Sequence, residues 1–283
     1  MTVQERKISR KGLWLSVIAL AVLLTVAVAA MVALHAVRPD ETDLSAAVHQ
    51  AAPVAEPTLP PPEANPYGEN DFQYEGDYLT CTAGESVLGI DVSEWQAVTD
   101  WNAVKDAGVE FVIIRAGYRG YGNGAVCADE AAQSHYEGAK AAGLKVGVYF
   151  FSQAVNTKEA VEEARFTMEL IQDWELDMPV VFDWEYVSDD ARAAHLSALD
   201  LTHITMAFCD IVEGAGYEPM VYFNVNQSTY RLLMERLTDY RFWLAMYSDR
   251  MTYPYKLDMW QYSCEGTVPG IEGYVDMNLW FPG

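Results

Sequence analysis

The chain has 283 residues, of which 51% are hydrophobic, and a formal net charge of −23. That hydrophobic share supports a sizeable core and excludes global disorder, and the length allows one large domain, or two small ones, with extensions. Five of the 18 basic residues and one of the 41 acids fall in residues 1–38, so residues 39–283 carry 13 basic against 40 acidic side chains. Such a surface repels phosphate backbones, and no nucleic-acid partner is expected.

Residues 1–12 form a basic segment containing Arg6, Lys7, Arg10 and Lys11. Residues 13–34 follow as an apolar run broken only by Ser16 and Thr25, and about 20 such residues span a bilayer as a helix. The basic flank predicts a cytoplasmic N-terminus and an extracytoplasmic remainder, the arrangement of a transmembrane signal-anchor. The alternative is cleavage near Ala29, because Ala27-Val28-Ala29 has the small residues of a processing site. Length favours the anchor, since the apolar core of a cleaved signal is usually about 7–15 residues.

Residues 35–85 read as a Pro/Glu/Ala-rich extracytoplasmic stalk. Seven of the twelve prolines lie between Pro39 and Pro66, including Pro60-Pro61-Pro62. This composition predicts a disordered, extended segment that holds residues 86–283 away from the bilayer. Cys81, Cys127, Cys209 and Cys264 are widely spaced, without a C-x-x-C pair or a Cys/His metal pattern. Outside the membrane they allow up to two disulfides in three connectivities, and the apolar helical setting of Cys209 also fits a buried free thiol.

From about residue 86 short apolar runs alternate with amphipathic stretches. Strands are expected at 88–93, 110–116, 145–152, 179–186 and 218–224. Helices are expected at 101–107, 129–142, 157–174, 191–214 and 228–237, with Gly143 as a C-terminal cap. Strands at 241–246, 257–262 and 274–280 then follow with only loop between them. Near-continuous apolar strands joined by helices predict a parallel sheet buried on both faces. The count fits an α/β fold, an irregular TIM-like barrel of five βα units plus three closing strands. It is smaller than the ~250 residues of a regular eight-fold barrel.

The fourth strand ends Phe182-Asp183-Trp184-Glu185. Alternation places Asp183 and Glu185 on one face, about 6.6 Å apart along the strand. They stand at its C-terminal end, where parallel barrels carry their active sites. Burial and mutual repulsion raise the pKa of one such acid and make it a proton donor near neutrality, the pairing that glycoside hydrolysis requires. Asp173-Trp174-Glu175 repeats the tripeptide at a helix end, without a preceding apolar strand, and reads as solvated. Asp91 and Asp276 have the same strand-end character as Asp183 and approach strand four if the first and last strands are neighbours. Taken singly, each reads first as a structural hydrogen-bonding acid. Tyr118, Tyr149, Phe151, Tyr222, Trp260 and Tyr262, near strand ends, suit stacking on sugar rings, with core packing as the alternative. His35, His49, His135, His195 and His203 form no metal cluster, no cofactor is implied, and there is no G-x-S-x-G, P-loop or dinucleotide fingerprint.

Taken together, Gly89-Ile90-Asp91-Val92-Ser93 with Gln96 and Asp100-Trp101, Phe111 to Arg115, Gly143 to Phe150, Phe182 to Glu185, Trp260-Gln261-Tyr262, Val268 to Ile271 and Val275 to Asn278 resemble glycoside hydrolase family 25, the Chalaropsis-type lysozymes. The resemblance covers residues 87–283 in order and implies the irregular barrel already counted. It implies cleavage of the β-1,4 bond between N-acetylmuramic acid and N-acetylglucosamine in peptidoglycan glycan strands. By position, Glu185 corresponds to the general acid. Asp183 corresponds to its partner, which stabilises positive charge or orients the acetamido group, and Asp91 and Asp276 to supporting acids. The leading expectation is a membrane-tethered enzyme of cell-wall remodelling with no obligate protein partner. The alternatives are a catalytically silent wall-binding module, a glycosidase for another amino-sugar polymer, and a secreted lysozyme.

Overall fold

A computed structural model describes residues 59–282. The basic segment, the apolar run at 13–34 and the first part of the expected stalk lie outside these residues. Among the described residues no helix is long and apolar enough to cross a membrane.

The architecture is a closed barrel. Its strands are β3 (Val87–Val92), β5 (Phe111–Arg119), β7 (Lys145–Ser152), β8 (Val180–Trp184), β9 (Pro219–Asn224), β10 (Arg241–Ala245), β11 (Met259–Gly266) and β13 (Val275–Trp280). Neighbours from β3 through β11 are parallel. The last strand, β13, runs antiparallel to both β11 and β3 and closes the ring. These are the eight strands expected from the sequence. Three short elements decorate the rim: β6 (Val126–Ala128) extends the end of β5, and β4 (Ala97–Val98) pairs with β12 (Ile271–Glu272).

Five helices follow the first five barrel strands. They are α1 (Trp101–Asp106), α2 (Ala132–Ala141), α3 (Thr157–Leu170), α4 (Ala198–Gly214) and α5 (Val225–Tyr230). Side-chain oxygens of Asp100, Asn156, Ser197 and Asn224 accept from backbone N–H groups in the first turns of α1, α3, α4 and α5, satisfying donors that a helix start leaves free. The Ser197 cap also explains why the expected helix over 191–214 begins only at Ala198. The expected helix at 228–237 is instead the short α5 followed by a 3-10 turn at Met234–Arg236. Gly143, past the end of α2, has φ +76°, the left-handed conformation that a helix terminator requires.

Period-two alternation divides the core into two layers. Phe111, Ile113, Val181, Met220, Trp243 and Met259 point inward and fill the barrel. Gly89 belongs to this inner layer, where a Cβ would lie 2.2 Å from the Phe111 ring. Ile90, Val112, Ile114, Val148, Phe150, Phe182, Val221, Phe223 and Leu244 point outward and belong to the larger core cluster, which also holds Val104 of α1, Ala139 of α2, Ala160 of α3 and Phe208 of α4.

Among the described residues no helix follows the last three barrel strands to cover their outer faces, and the segment expected to be stalk partly fills that role. The expectation of an extended stalk to residue 85 fails for residues 60–82. Asn65 N–H donates to the Pro254 carbonyl at 2.9 Å, Lys256 N–H donates to that of Glu63 at 2.8 Å, and Ala64 bridges to Tyr255. The hairpin of β1 (Phe72–Glu75) and β2 (Tyr78–Cys81) then brings Phe72 edge-on to Trp260, with centroids 4.9 Å apart. Tyr67 packs against Phe281 at 4.8 Å, and Leu79 is 2% exposed. The physical reason is that Tyr67, Phe72 and Leu79 offer apolar area to an uncovered sheet face, and average composition conceals three well-placed side chains. All four cysteines are free thiols, with Cys81 buried in the hairpin, Cys209 buried in α4, Cys127 half-buried on β6 and Cys264 exposed on β11.

A chain beginning at residue 86 should therefore unfold at a lower temperature than one beginning at residue 59. Phe72→Ala alone should cost about 3–5 kcal/mol, as for large aromatic truncations in cores. Calorimetry or denaturant unfolding checks both expectations.

Candidate active site

The barrel's C-terminal mouth holds a narrow acidic well with a cavity of about 130 Å3. Asp91, Asp183, Glu185 and Asp276 all line it. Asp91 on β3 is in register with Asp276 on β13, so the antiparallel closing strand brings these two acids face to face. Asp183 on β8 is in register with Phe151 on β7 and Tyr222 on β9, and Glu185 follows directly after the strand. Asp173 and Glu175, by contrast, are exposed, while Trp174 between them stacks on Tyr136 at 4.3 Å.

Hydrogen bonding separates the four acids. Asp91 Oδ2 accepts from Gln261 Nε2 and Asn278 Nδ2, each at 2.8 Å. Both amides are themselves oriented. The Trp243 indole N–H donates to Asn278 Oδ1 at 2.9 Å, and the Tyr222 and Tyr247 hydroxyls donate to Gln261 Oε1 at 2.9 and 3.2 Å. An indole can only donate, so the amide of Asn278 must turn its NH2 toward Asp91. Asp183 differs, because its buried Oδ1 has no partner at all.

The electrostatics follow from this geometry. Burial raises the pKa of Asp183 well above the ordinary carboxylate value, reinforced by the negative charges of Glu185 and Asp91 and opposed by Arg115. Asp91 is also raised by burial and by Asp276, against the lowering effect of its two amide donors. Burial and Asp276 raise Glu185, and burial lifts Asp276 to about 6. Protons are thus retained in this well at pH values where exposed carboxylates have lost them, the condition for a carboxylic acid to act as a proton donor.

Tyr149 and Tyr222 line the well as expected, and Tyr118 and Phe151 line a wider depression of about 650 Å3 over the ends of β3, β5 and β7. Trp95 and Tyr121, 77% and 55% exposed, share that depression. Trp260 and Tyr262 are not in either. They alternate with the inward Met259 and Gln261 on β11 and so face the outer core, where Trp260 meets Phe72 and the Tyr262 hydroxyl lies 3.5 Å from Leu79 N. Their expected role in sugar stacking is corrected to packing.

Sequence reasoning did not single out Trp243, Tyr247, Gln261 and Asn278 as site residues, nor Arg115. Alternation from the apolar neighbours would have placed four of them inward. Tyr247 follows β10 in a loop and carries no such signal. Arg115 is close enough to the well to oppose the rise in the Asp183 pKa. It donates to Asp129 at 2.6 Å and Glu94 at 2.7 Å, and lies 5.2 Å from the Tyr118 ring centroid. Among the described residues no group of three or more His, Cys, Asp or Glu side chains is disposed to hold a metal ion.

A parallel barrel whose mouth carries convergent acids with raised proton affinity defines a carboxylate acid–base site of the kind glycosidases use. The comparisons specify it. The model of the glycosyl hydrolases family 25 matches residues 90–271, and the chain belongs to that family. It is 29% identical over 196 residues to the autolytic lysozyme of Clostridium acetobutylicum, covering 69% of this chain and 56% of that protein. Among solved structures, the modular autolysin LytC from Streptococcus pneumoniae in complex with a synthetic peptidoglycan ligand superposes with a TM-score of 0.62 and 26% identity, covering 70% of this chain and 47% of LytC. The bacterial lysozyme from Streptomyces coelicolor gives 0.55 and 25%, covering 70% and 93%. The chain therefore spans about half the length of the first two relatives.

The raised proton affinity of Asp276 has a consequence for stability. Between the ordinary aspartate value of 3.8 and its folded value of about 6, the folded state binds more proton than the unfolded state, so stability falls as pH rises through that window. Asp276→Asn should match the unaltered chain near pH 4 and exceed it by roughly 2 kcal/mol at pH 8. Urea unfolding at the two pH values measures the difference, and a pH-independent gap would contradict it.

Proposed function

We propose that this protein is a peptidoglycan hydrolase, a muramidase that cleaves the β-1,4 bond between N-acetylmuramic acid and N-acetylglucosamine. The observation that carries this reading is the convergence of Asp91, Asp183, Glu185 and Asp276 in one well of a chain in family 25. In this reading Glu185, with its raised proton affinity and half-buried position, donates its proton to the glycosidic oxygen as the bond breaks. Asp183, at the same strand end but deeper, holds the substrate's acetamido group or, once ionised, stabilises the developing cation. Asp91, locked between Gln261 and Asn278, keeps its carboxylate in a fixed position, and Asp276 opposite it raises the proton affinity of Glu185. Tyr149 and Tyr222 form the inner walls, and Trp95, Tyr118 and Tyr121 offer aromatic faces to further sugars along the depression.

The apolar run at 13–34 supports a retained membrane anchor, with the catalytic barrel outside the membrane and acting on the cell's own wall. Secretion after cleavage near Ala29 is the second reading, and the small residues before that point favour it. A silent wall-binding module on the same fold is disfavoured, because binding alone does not require four acids with raised proton affinity in one well.

Incubation with purified peptidoglycan should release new reducing-end muramic acid, identified by mass. Glu185→Gln should lower the rate by about 10²–10⁴-fold, the range for loss of a general acid. Activity should decline with rising pH only above the ordinary carboxylate range, as Glu185 loses its proton. Equal release by both proteins, or by neither, would reject the assignment. An anchored protein should be recovered from membranes with its first residues intact, whereas recovery from the medium with a start near Ala30 would favour secretion.

A further inference from the structure

We propose that Gln153 and Gln227 are positioning residues that set the place of the Glu185 carboxyl by holding the two backbone carbonyls next to it. The inference rests on the reading of Glu185 as the proton donor. Regular pairing of β8 ends at Trp184 against β7 and at Asp183 against β9. Glu185 therefore stands past the last registered pair on both sides and Trp184 past the last one toward β9, where the sheet no longer fixes the chain. Two buried glutamine amides replace the ladder. Gln153 Nε2 donates to the Glu185 carbonyl at 2.9 Å, and Gln227 Nε2 donates to the Trp184 carbonyl. Gln153 is 1% exposed and Gln227 3%, so neither bond competes with solvent.

The side-chain amide of Gln227 and the backbone of Gln153 are in turn held by neighbouring elements. Asn224 N–H donates to Gln227 Oε1 at 2.6 Å while Gln227 N–H donates to Asn224 Oδ1 at 3.0 Å, which makes the amide part of the cap of α5. With Oε1 occupied by a donor, the NH2 end faces Trp184. Gln153 follows β7 directly, and its own carbonyl accepts from Arg192 Nη1 at 2.9 Å. Arg192 Nη2 donates to Glu159 Oε1 of α3 at 2.7 Å. The support behind the acid therefore runs from α3 through Arg192 and Gln153 on one side and from α5 through Gln227 on the other. Polar side chains buried at such a depth are retained for a use, and here both point at the backbone of one residue pair.

Gln153→Met in the full chain, solubilised in mild detergent, removes the donor with little change in volume and leaves every helix cap intact. The expected result is a fall in kcat of about ten- to a hundredfold, the scale of a displacement near 1 Å, with KM changed by less than about twofold. The melting temperature should fall only modestly, as expected for one carbonyl left without its donor. The falling limb of the kcat–pH profile should move to lower pH, because a released carboxyl gains water. Gln227→Met should act in the same direction but also lower the melting temperature through the α5 cap, so Gln153→Met decides. An unchanged kcat, or a fall matched by loss of folded protein with the pH limb unmoved, would overturn the proposal. Full activity in Glu185→Gln would instead overturn the reading of the well. An inactive Glu185→Gln beside an undisturbed Gln153→Met would overturn only the positioning role.

Discussion

Crowding four carboxylates into one end of a closed, apolar barrel is the constraint on which the rest of this structure depends. Each acid taken out of water disfavours its ionised form, and each neighbour of like charge adds to the cost. The surrounding chain answers with a network of donors around Asp91 drawn from three other strands. Gln261 comes from β11, Asn278 from β13 and the Trp243 indole, which orients Asn278, from β10. The network therefore crosses the seam where β13 closes the ring, and the same bonds that steady the acid also tie the last strand to the first. Asp183 receives no such compensation. A buried carboxyl oxygen left without a partner is a local loss of stability, of the kind that persists at sites where a ligand completes the bonding.

Period-two alternation makes most of this legible in the sequence itself. Val181 and Asp183 lie on the inward face because Phe182 and Trp184 lie on the other, and the same rule brings Asp91 and Asp276 to the mouth once the strand count closes a barrel. The rule applied unevenly to β11 explains the error there. Choosing the aromatic residues Trp260 and Tyr262 over Gln261 followed chemical preference for sugar stacking rather than strand phase. Met259 set the inward phase, and Gln261 follows it by two. The polar network around Asp91 was harder to see, since it joins residues 170 and 187 positions apart in the chain. Only register across the closing strand brings them together.

The segment before the barrel shows where composition misleads. Proline content describes the average of residues 35–85, but burial depends on single side chains placed against an uncovered surface. A barrel that drops its last three helices leaves the outer faces of its closing strands open, and exposed sheet of that kind requires cover. Phe72, Leu79 and Tyr67 supply part of it from outside the βα series. The hairpin that carries them is thus part of the folded unit, and it shortens any free linker that precedes the barrel. It also accounts for the outward packing of Trp260, since the indole fills the space between that hairpin and the sheet.

A buried acid elsewhere in the molecule shows which property distinguishes the well. Glu163, on the inner stripe of α3 beside Ala160, Ala164 and Thr167, is fully buried, and burial raises its pKa to about 7. Yet Arg119 Nε donates to one of its oxygens at 2.6 Å and Ser152 Oγ to the other at 2.6 Å. Arg119 also donates to Glu162 and to the Gly124 carbonyl, so the cluster ties the end of β5 and the loop after it to α3. Both oxygens of Glu163 are occupied, which makes it a structural pair member despite its raised proton affinity. Asp183 and Glu185 are raised by burial too but stand in an open well, and Asp183 keeps an oxygen free. Raised proton affinity therefore marks burial in both places. What separates the chemical site from the structural one is unspent bonding capacity facing a cavity.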